Sequence, residues 1–177
     1  MIDLKPIYAL FREDDGSLPD IYIKNLSRKE FQIIVETCLK YSDSMKKIPA
    51  WHLKEEKLIH LQPIEYFKSY FDLKISTYPI HLDKININGT TLPQLNMFIY
   101  GPAPDSLESI IFDYRMGNDW NDNAILSLFE FLVKLLDIAP NAQINRCAEG
   151  YEDRPDKDFN LKLMEYISRR IKTNATL

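Results

Sequence analysis

The segment of residues 121–140 constrains the fold most, because it has the pattern of a long apolar helix that other elements must cover. Its large apolar residues recur at helical spacing: Ile125, Leu128, Phe129, Leu132, Leu135 and Leu136. Residues three and four positions apart lie on one side of a helix, so these form a wide apolar face. Pro140 ends the pattern, since proline has no backbone N–H for a helix hydrogen bond. The sequence therefore predicts a helix at the centre of the core.

Three other segments also predict helices. Ser27 and Glu30 have the spacing of a capping box, in which each side chain accepts a hydrogen bond from a backbone N–H at a helix start. The stripe that follows this box consists of Phe31, Ile34, Val35, Cys38 and Leu39. Pro63 suits the first turn of a short helix, with Ile64, Phe67 and Phe71 on one face. The C-terminal helix is predicted from Phe159, Leu163, Met164, Ile167 and Ile171.

Strands are predicted where short runs are rich in aromatic and β-branched residues. Residues 6–11 and 21–24 flank an acidic Gly-containing loop and predict an N-terminal β-hairpin. Residues 78–115 predict an antiparallel meander, and residues 58–61 and 142–148 predict single strands. The segment 42–57 is predicted to be a polar connection that carries Trp51.

These elements predict an α+β fold. We expect a mixed, largely antiparallel sheet with an N-terminal β-hairpin, packed against about four helices. The chain has 177 residues, near the usual size of one folding unit, and no linker or internal repeat divides it. The prediction is a single domain over residues 1–177.

The composition favours a folded protein of a reducing compartment. Hydrophobic residues make up 45% of the chain and charged residues 27%, as in ordinary globular proteins. The first residues include charges and a proline and do not form the apolar core of a signal peptide. Cys38 and Cys147 are expected to be reduced core residues. We therefore expect a cytoplasmic protein with no membrane partner.

Known catalytic and cofactor motifs are missing from the sequence. Its 5 glycines form no phosphate-binding loop of the dinucleotide or P-loop type. The 3 histidines, His52, His60 and His81, form no metalloprotease pair, and two cysteines do not complete a zinc site. His60 and His81 would form a metal site only if they met on neighbouring strands. We expect no cofactor and no bound metal.

Charge is unevenly distributed along the chain. Residues 24–74 contain ten basic and seven acidic residues, whereas residues 101–160 contain five basic and twelve acidic residues. Much of the acid lies in two predicted loops that also hold aromatic residues. An acidic surface repels phosphate, so nucleic acid is not an expected partner. Exposed carboxylates beside aromatic residues are instead typical of surfaces that bind a basic protein, and a solvated acidic face is the other interpretation.

The residues predicted to bind a partner come from these two loops. They are Asp119, Trp120, Asp122, Glu149, Tyr151, Glu152 and Asp153. With these loops and its small acidic α+β character, the chain resembles the immunity proteins of bacterial polymorphic-toxin and contact-dependent growth inhibition systems. The resemblance implies a protein that binds a cognate toxin domain, often a basic nuclease, and covers its active site without turnover. We also expect a monomer or weak dimer.

Two other functions remain open from the sequence. One is a small enzyme with a carboxylate- or histidine-based site, for which the candidates are Asp113, Asp119, His60 and His81. The other is an adaptor subunit that binds a cellular protein through an apolar surface.

Overall fold

The structure is a computed structural model that describes residues 2–42, 47–100, 108–151 and 153–174. The helices are a 3₁₀ turn Lys5–Ile7, α1 (Ala9–Arg12), α2 (Arg28–Tyr41), α3 (Pro63–Phe71), α4 (Asp122–Ile138) and α5 (Lys157–Asn174). The strands are β1 (Asp20–Leu26), β2 (Ile48–His52), β3 (Lys57–Leu61), β4 (Ile75–Thr77), β5 (Ile80–Leu82), β6 (Asn86–Ile87), β7 (Thr90–Thr91), β8 (Leu95–Tyr100), β9 (Glu108–Tyr114) and β10 (Gln143–Cys147). The α+β class is confirmed.

The strands form three sheets in which every described pairing is antiparallel. The main sheet has the order β10-β1-β9-β8-β5, the second has the order β3-β2-β4, and β6 pairs with β7. Strands β5, β8 and β9 form the predicted meander. The small second sheet lies toward the end of the main sheet at which β8 ends and β9 begins, because β4 leads into β5 and contacts β8.

Helix α4 lies in the core, as predicted. Its apolar face is buried except for the half-buried Leu136, and Ser127, Glu130, Phe131 and Val133 on its other sides are buried as well. Asn121 caps it, because its side-chain Oδ1 accepts a hydrogen bond from the Ala124 N–H at 3.0 Å. The capping box of α2 is also confirmed.

The predicted N-terminal β-hairpin is wrong. Residues 6–11 are helical, because Pro6 suits the first turn of the 3₁₀ helix and places Ile7 and Phe11 four residues apart on one buried side. Residues 21–24 do lie in a strand, but both edges of β1 are occupied, by β9 and by β10. No edge of β1 is left for a hairpin partner.

Strand β2 lies in the segment predicted to be a polar connection. The sequence did not predict this strand because proline, here Pro49, is rare within sheets. Here β2 pairs with β3 along its whole length, but its pairing with β4 begins only at Ala50. Pro49 therefore lies outside the ladder with β4, where its missing N–H costs no hydrogen bond. Trp51 is 39% exposed.

Two helix faces differ from the prediction. In α3 the buried residues are Tyr66, Phe67 and Tyr70, whereas Ile64 is 81% exposed. In α5, Phe159 and Leu163 are buried, but Met164 and Ile171 are 59% and 63% exposed.

His60 and His81 do not lie on neighbouring strands, because β3 and β5 belong to different sheets. The condition under which these two histidines would form a metal site is therefore not met. Within the described ranges, no group of three or more His, Cys, Asp or Glu residues is arranged to hold a metal ion. No helix in the same ranges is long and apolar enough to cross a membrane.

Candidate partner-binding surface

The two predicted acidic loops meet at one end of the main sheet. Strand β1 starts where its two neighbours end, since Asp20 lies opposite both Asp113 of β9 and Cys147 of β10. The loop that precedes β1 (residues 13–19) therefore lies between the loop after β9 (115–121) and the loop after β10 (148–156). Residues far apart in sequence form one surface.

Hydrogen bonds connect these three loops directly. Arg115 Nε lies 3.3 Å from Asp14 Oδ2, and the Leu18 N–H donates to Glu149 Oε2 at 2.9 Å. Within the central loop, the carboxylates of Asp14 and Asp15 accept hydrogen bonds from the Gly16 and Ser17 N–H groups. Gly16 has a φ of 86°, a backbone conformation that glycine adopts without strain. The surface is thus held by local turns and by contacts between loops.

Exposed carboxylates dominate this surface, which we name the acidic rim. Its members are Glu13, Asp14, Asp15, Asp119, Asp122, Glu149 and Asp153. The nearby arginines neutralise only part of this charge. Arg12 pairs with Asp122 at 2.5 Å and Arg115 pairs with Asp14, while Arg154 lies over the Tyr151 ring, 5.3 Å from its centroid. Among the described residues Asp119 and Asp153 form no ion pair, so the rim remains negative.

A cleft of about 440 Å³ opens within the rim. Asp14 and Asp119 line it together with Arg115, Pro93 and Gln94, and Trp120 contributes to its wall. Arg115 is paired with Asp14, so the cleft lining keeps one net negative charge through Asp119. This charge favours a cationic side chain of a partner, such as lysine or arginine, over an anionic group.

Two large side chains give the described part of the rim apolar contact area. Tyr151 is 51% exposed, as predicted, and Leu18 is 37% exposed in the loop that bridges the other two. Tyrosine is enriched among residues that contribute most to binding at protein interfaces. The rim therefore combines charge with a small amount of apolar surface.

Trp120, one of the residues predicted to bind a partner, is buried. The side chain is 1% exposed and packs against Phe11 and Tyr114, with ring centroids 5.1 Å apart in each pair. Its Nε1–H donates to the Arg115 carbonyl oxygen at 2.8 Å. Two charged neighbours suggested a loop surface, but the aromatic cluster at this end of the core takes up the ring. Trp120 supports the rim from below.

The other predicted residues lie at the surface. Asp119, Glu149 and Asp153 are exposed, and Asp122 is exposed but held by Arg12 and by the Tyr8 hydroxyl, which donates to Oδ2 at 3.0 Å. Glu152 lies outside the described residues. Sequence reasoning missed Glu13, Asp14, Asp15 and Leu18 as members of this surface. Their acidic run was visible, but their position depends on the strand order.

Two of the enzyme candidates lie in one hydrogen-bonded row. On the face of the main sheet opposite the helices, His81 Nδ1 lies 2.6 Å from Asn96 Oδ1, and Asn96 Nδ2 donates to Asp113 Oδ1 at 2.6 Å. These residues pair directly across β5, β8 and β9. Burial raises the pKa of Asp113 above its usual value, while Asn96 and His81 oppose the shift. Asp119 lies in the rim and His60 in the second sheet, so the four candidates do not form one site.

Models of known protein families and curated protein sequences give no match to this chain. A similar solved structure is a chain of the 1.75 Å crystal structure of the toxic C-terminal tip of CdiA from Pseudomonas aeruginosa in complex with immune protein. The TM-score is 0.51, and the alignment covers 76% of this chain and 87% of that chain. The two chains share a fold. At 10% sequence identity the likeness concerns the fold alone.

Proposed function

We propose that the protein is an immunity protein that binds a cognate toxin domain in the cytoplasm and blocks the toxin's active site without turnover. The observation that carries this proposal is the fold shared with a chain from a complex between the CdiA toxic tip and its immune protein. The acidic rim supports it, because the rim supplies a surface on which such a partner would dock.

The rim favours a toxin domain with a basic surface. Exposed carboxylates attract a positive partner before contact, and this attraction raises the association rate. At contact, the cleft between Asp14 and Asp119 would receive a lysine or arginine of the toxin. Tyr151 and Leu18 would pack against apolar atoms beside it. The ion pairs of Arg12 and Arg115 hold the rim in place before binding.

A nuclease fits this surface best among toxin activities. Enzymes that cleave nucleic acids bind phosphates through lysine and arginine. A rim of carboxylates presents a comparable negative charge to those groups and would compete with the substrate. Inhibition would then be stoichiometric, since each bound immunity protein covers one active site.

Co-expression tests the proposal. The probe is the C-terminal domain of the protein encoded by the adjacent upstream gene, produced in a bacterial host with and without the chain. We expect the toxin domain alone to stop growth, the chain alone to be harmless, and the pair to grow and to purify as a stoichiometric complex. A chain that is itself toxic, or that gives neither protection nor a complex, would contradict the proposal.

The row formed by His81, Asn96 and Asp113 favours the second candidate, an enzyme. Asn96 positions the exposed His81 ring and is held in turn by the buried Asp113, and an imidazole positioned in this way is a candidate general acid or base. The variants His81→Ala and Asp113→Asn separate the two functions. An immunity protein keeps its protection in both variants, whereas an enzyme that destroys the toxin or its product loses protection while it still binds.

A further inference from the structure

Helix α5 carries an apolar stripe on the side that faces away from the core. Leu161, Met164 and Ile171 are 66%, 59% and 63% exposed, while Phe159 and Leu163 of the same helix are buried. The spacing of three and seven residues places the exposed residues on one line along the helix, with Ser168 between Met164 and Ile171. Three large apolar residues at such exposure on one helix are typical of an interaction surface.

A row of alternating charges flanks this stripe. It consists of Asp158, Lys162, Glu165 and Arg169, which are negative, positive, negative and positive in chain order. Their spacing is four, three and four residues, so they lie on one side of the helix. Within the chain Glu165 already contacts Lys162 at 3.1 Å and Arg169 at 2.6 Å. These contacts hold the row in an ordered arrangement.

The charge row is self-complementary when it is reversed. Two copies of α5 are placed antiparallel, with the twofold axis at a level between Leu163 and Met164. Asp158 is then level with Arg169 of the second copy. Lys162 is then level with Glu165 of the second copy, and the same two pairs repeat on the other side of the centre. No like charges in this row meet. A twofold-symmetric interface requires a surface that is complementary to itself in this way.

On these grounds we propose that the protein forms a twofold homodimer in which the apolar stripe and charged row of α5 pack antiparallel against those of a second copy. The groove of about 310 Å³ between α5 and β10 adjoins the stripe along Met164 and is lined mainly by apolar side chains. It provides space for an apolar side chain of the second copy, as in the packing of knobs into holes.

The dimer leaves the acidic rim accessible. Helix α5 has 18 residues and is about 27 Å long, and its first residue follows the rim loop 148–156. Antiparallel packing therefore places the two rims at opposite ends of the helix pair. Each copy would still bind a toxin domain, so the dimer does not depend on the proposed function and is tested with the protein alone.

Analytical ultracentrifugation of the full chain over a concentration series is the test. We expect a dimer for the wild-type protein and a dissociation constant at least about tenfold higher for Met164→Glu. Ile64→Glu is the matched control, because Ile64 is 81% exposed on α3 and lies outside the proposed interface. It should dimerise like the wild type. A wild-type protein that stays monomeric, or an equal effect of both variants, would overturn the proposal.

Two further tests keep the proposal falsifiable if Met164→Glu fails to fold. Asp158→Lys should weaken the dimer, and the added change Arg169→Asp should restore it, because the pair is then reversed. Met164→Cys should form a disulfide with its copy under mild oxidation, while Ile64→Cys should not; the native thiols of Cys38 and Cys147 are buried and do not interfere. Failure of both the charge reversal and the cross-link would place the interface elsewhere. A monomer whose α5 variants lose only toxin binding would assign the stripe to the toxin.

Discussion

Replacement of Trp120 by alanine should destabilise the protein strongly, although the residue lies between two acidic positions. The ring is 1% exposed, packs against Phe11 and Tyr114, and donates a hydrogen bond to the Arg115 carbonyl. Truncation of a buried tryptophan costs about 3–5 kcal/mol of unfolding free energy. About 1 kcal/mol of this comes from the hydrogen bond, and each aromatic pair adds about 0.5–1.5 kcal/mol.

Urea denaturation followed by far-ultraviolet circular dichroism measures this loss, with the slope of the transition checked for two-state behaviour. Trp51→Ala is the matched control, since Trp51 is 39% exposed and buries less area. We expect a loss of about 1–2 kcal/mol there. If Trp120→Ala costs no more than Trp51→Ala, the indole ring is not packed as described, and its role as an exposed contact residue regains support.

Three further substitutions test the fold and its electrostatics. Leu132→Ala should cost about 2–5 kcal/mol in urea denaturation, because the residue is 0% exposed in α4; a loss near zero would contradict the central position of that helix. Ser27→Ala should cost about 1 kcal/mol through the loss of the capping box, and an unchanged transition would show that the box adds nothing. Burial raises the pKa of Asp113 in the folded protein. At a pH between the unfolded-state and folded-state pKa values, the native protein therefore binds more protons than the unfolded chain. The stability that this group contributes falls as the pH rises through that window. Asp113→Asn should remove this slope, and a pH profile of stability identical to that of the wild type would refute the assignment.

Elements specified by local interactions could be predicted from the sequence. The capping box of Ser27 and Glu30 and the apolar face of α4 depend on residues three or four positions apart, which are read directly from the chain. The strand prediction for residues 6–11 was wrong because Ile7 and Phe11 are compatible with both a strand and a helix. The choice depended on Trp120 and Tyr114, which pack on Phe11 from more than 100 residues away.

The candidate surface could be predicted only in part. The acidic loops were visible as charge runs, and Asp119, Glu149, Tyr151 and Asp153 are exposed as expected. The contribution of residues 13–18 follows from the position of β1 between β9 and β10, a long-range pairing that no local pattern reports. The exposed stripe of α5 shows the same limit, because helical spacing identifies apolar residues but does not tell which of them face the core.

The central claim, that the acidic rim binds a toxin domain, is tested most directly by association kinetics. The rim variant combines Asp119→Asn, Glu149→Gln and Asp153→Asn. The control combines Glu55→Gln, Glu56→Gln and Asp72→Asn, which removes the same charge from exposed positions at and near the second sheet. Association with the toxin domain that the co-expression test identifies is measured at low and high salt.

We expect the rim variant to associate about tenfold or more slowly than the wild type at low salt, and the difference to shrink as salt screens the charges. The control should associate nearly as fast as the wild type. This result would show that the slower association comes from the position of the rim charges and not from the change in net charge. Equal rates for both variants, or a slower control, would contradict the claim that the toxin docks on the rim.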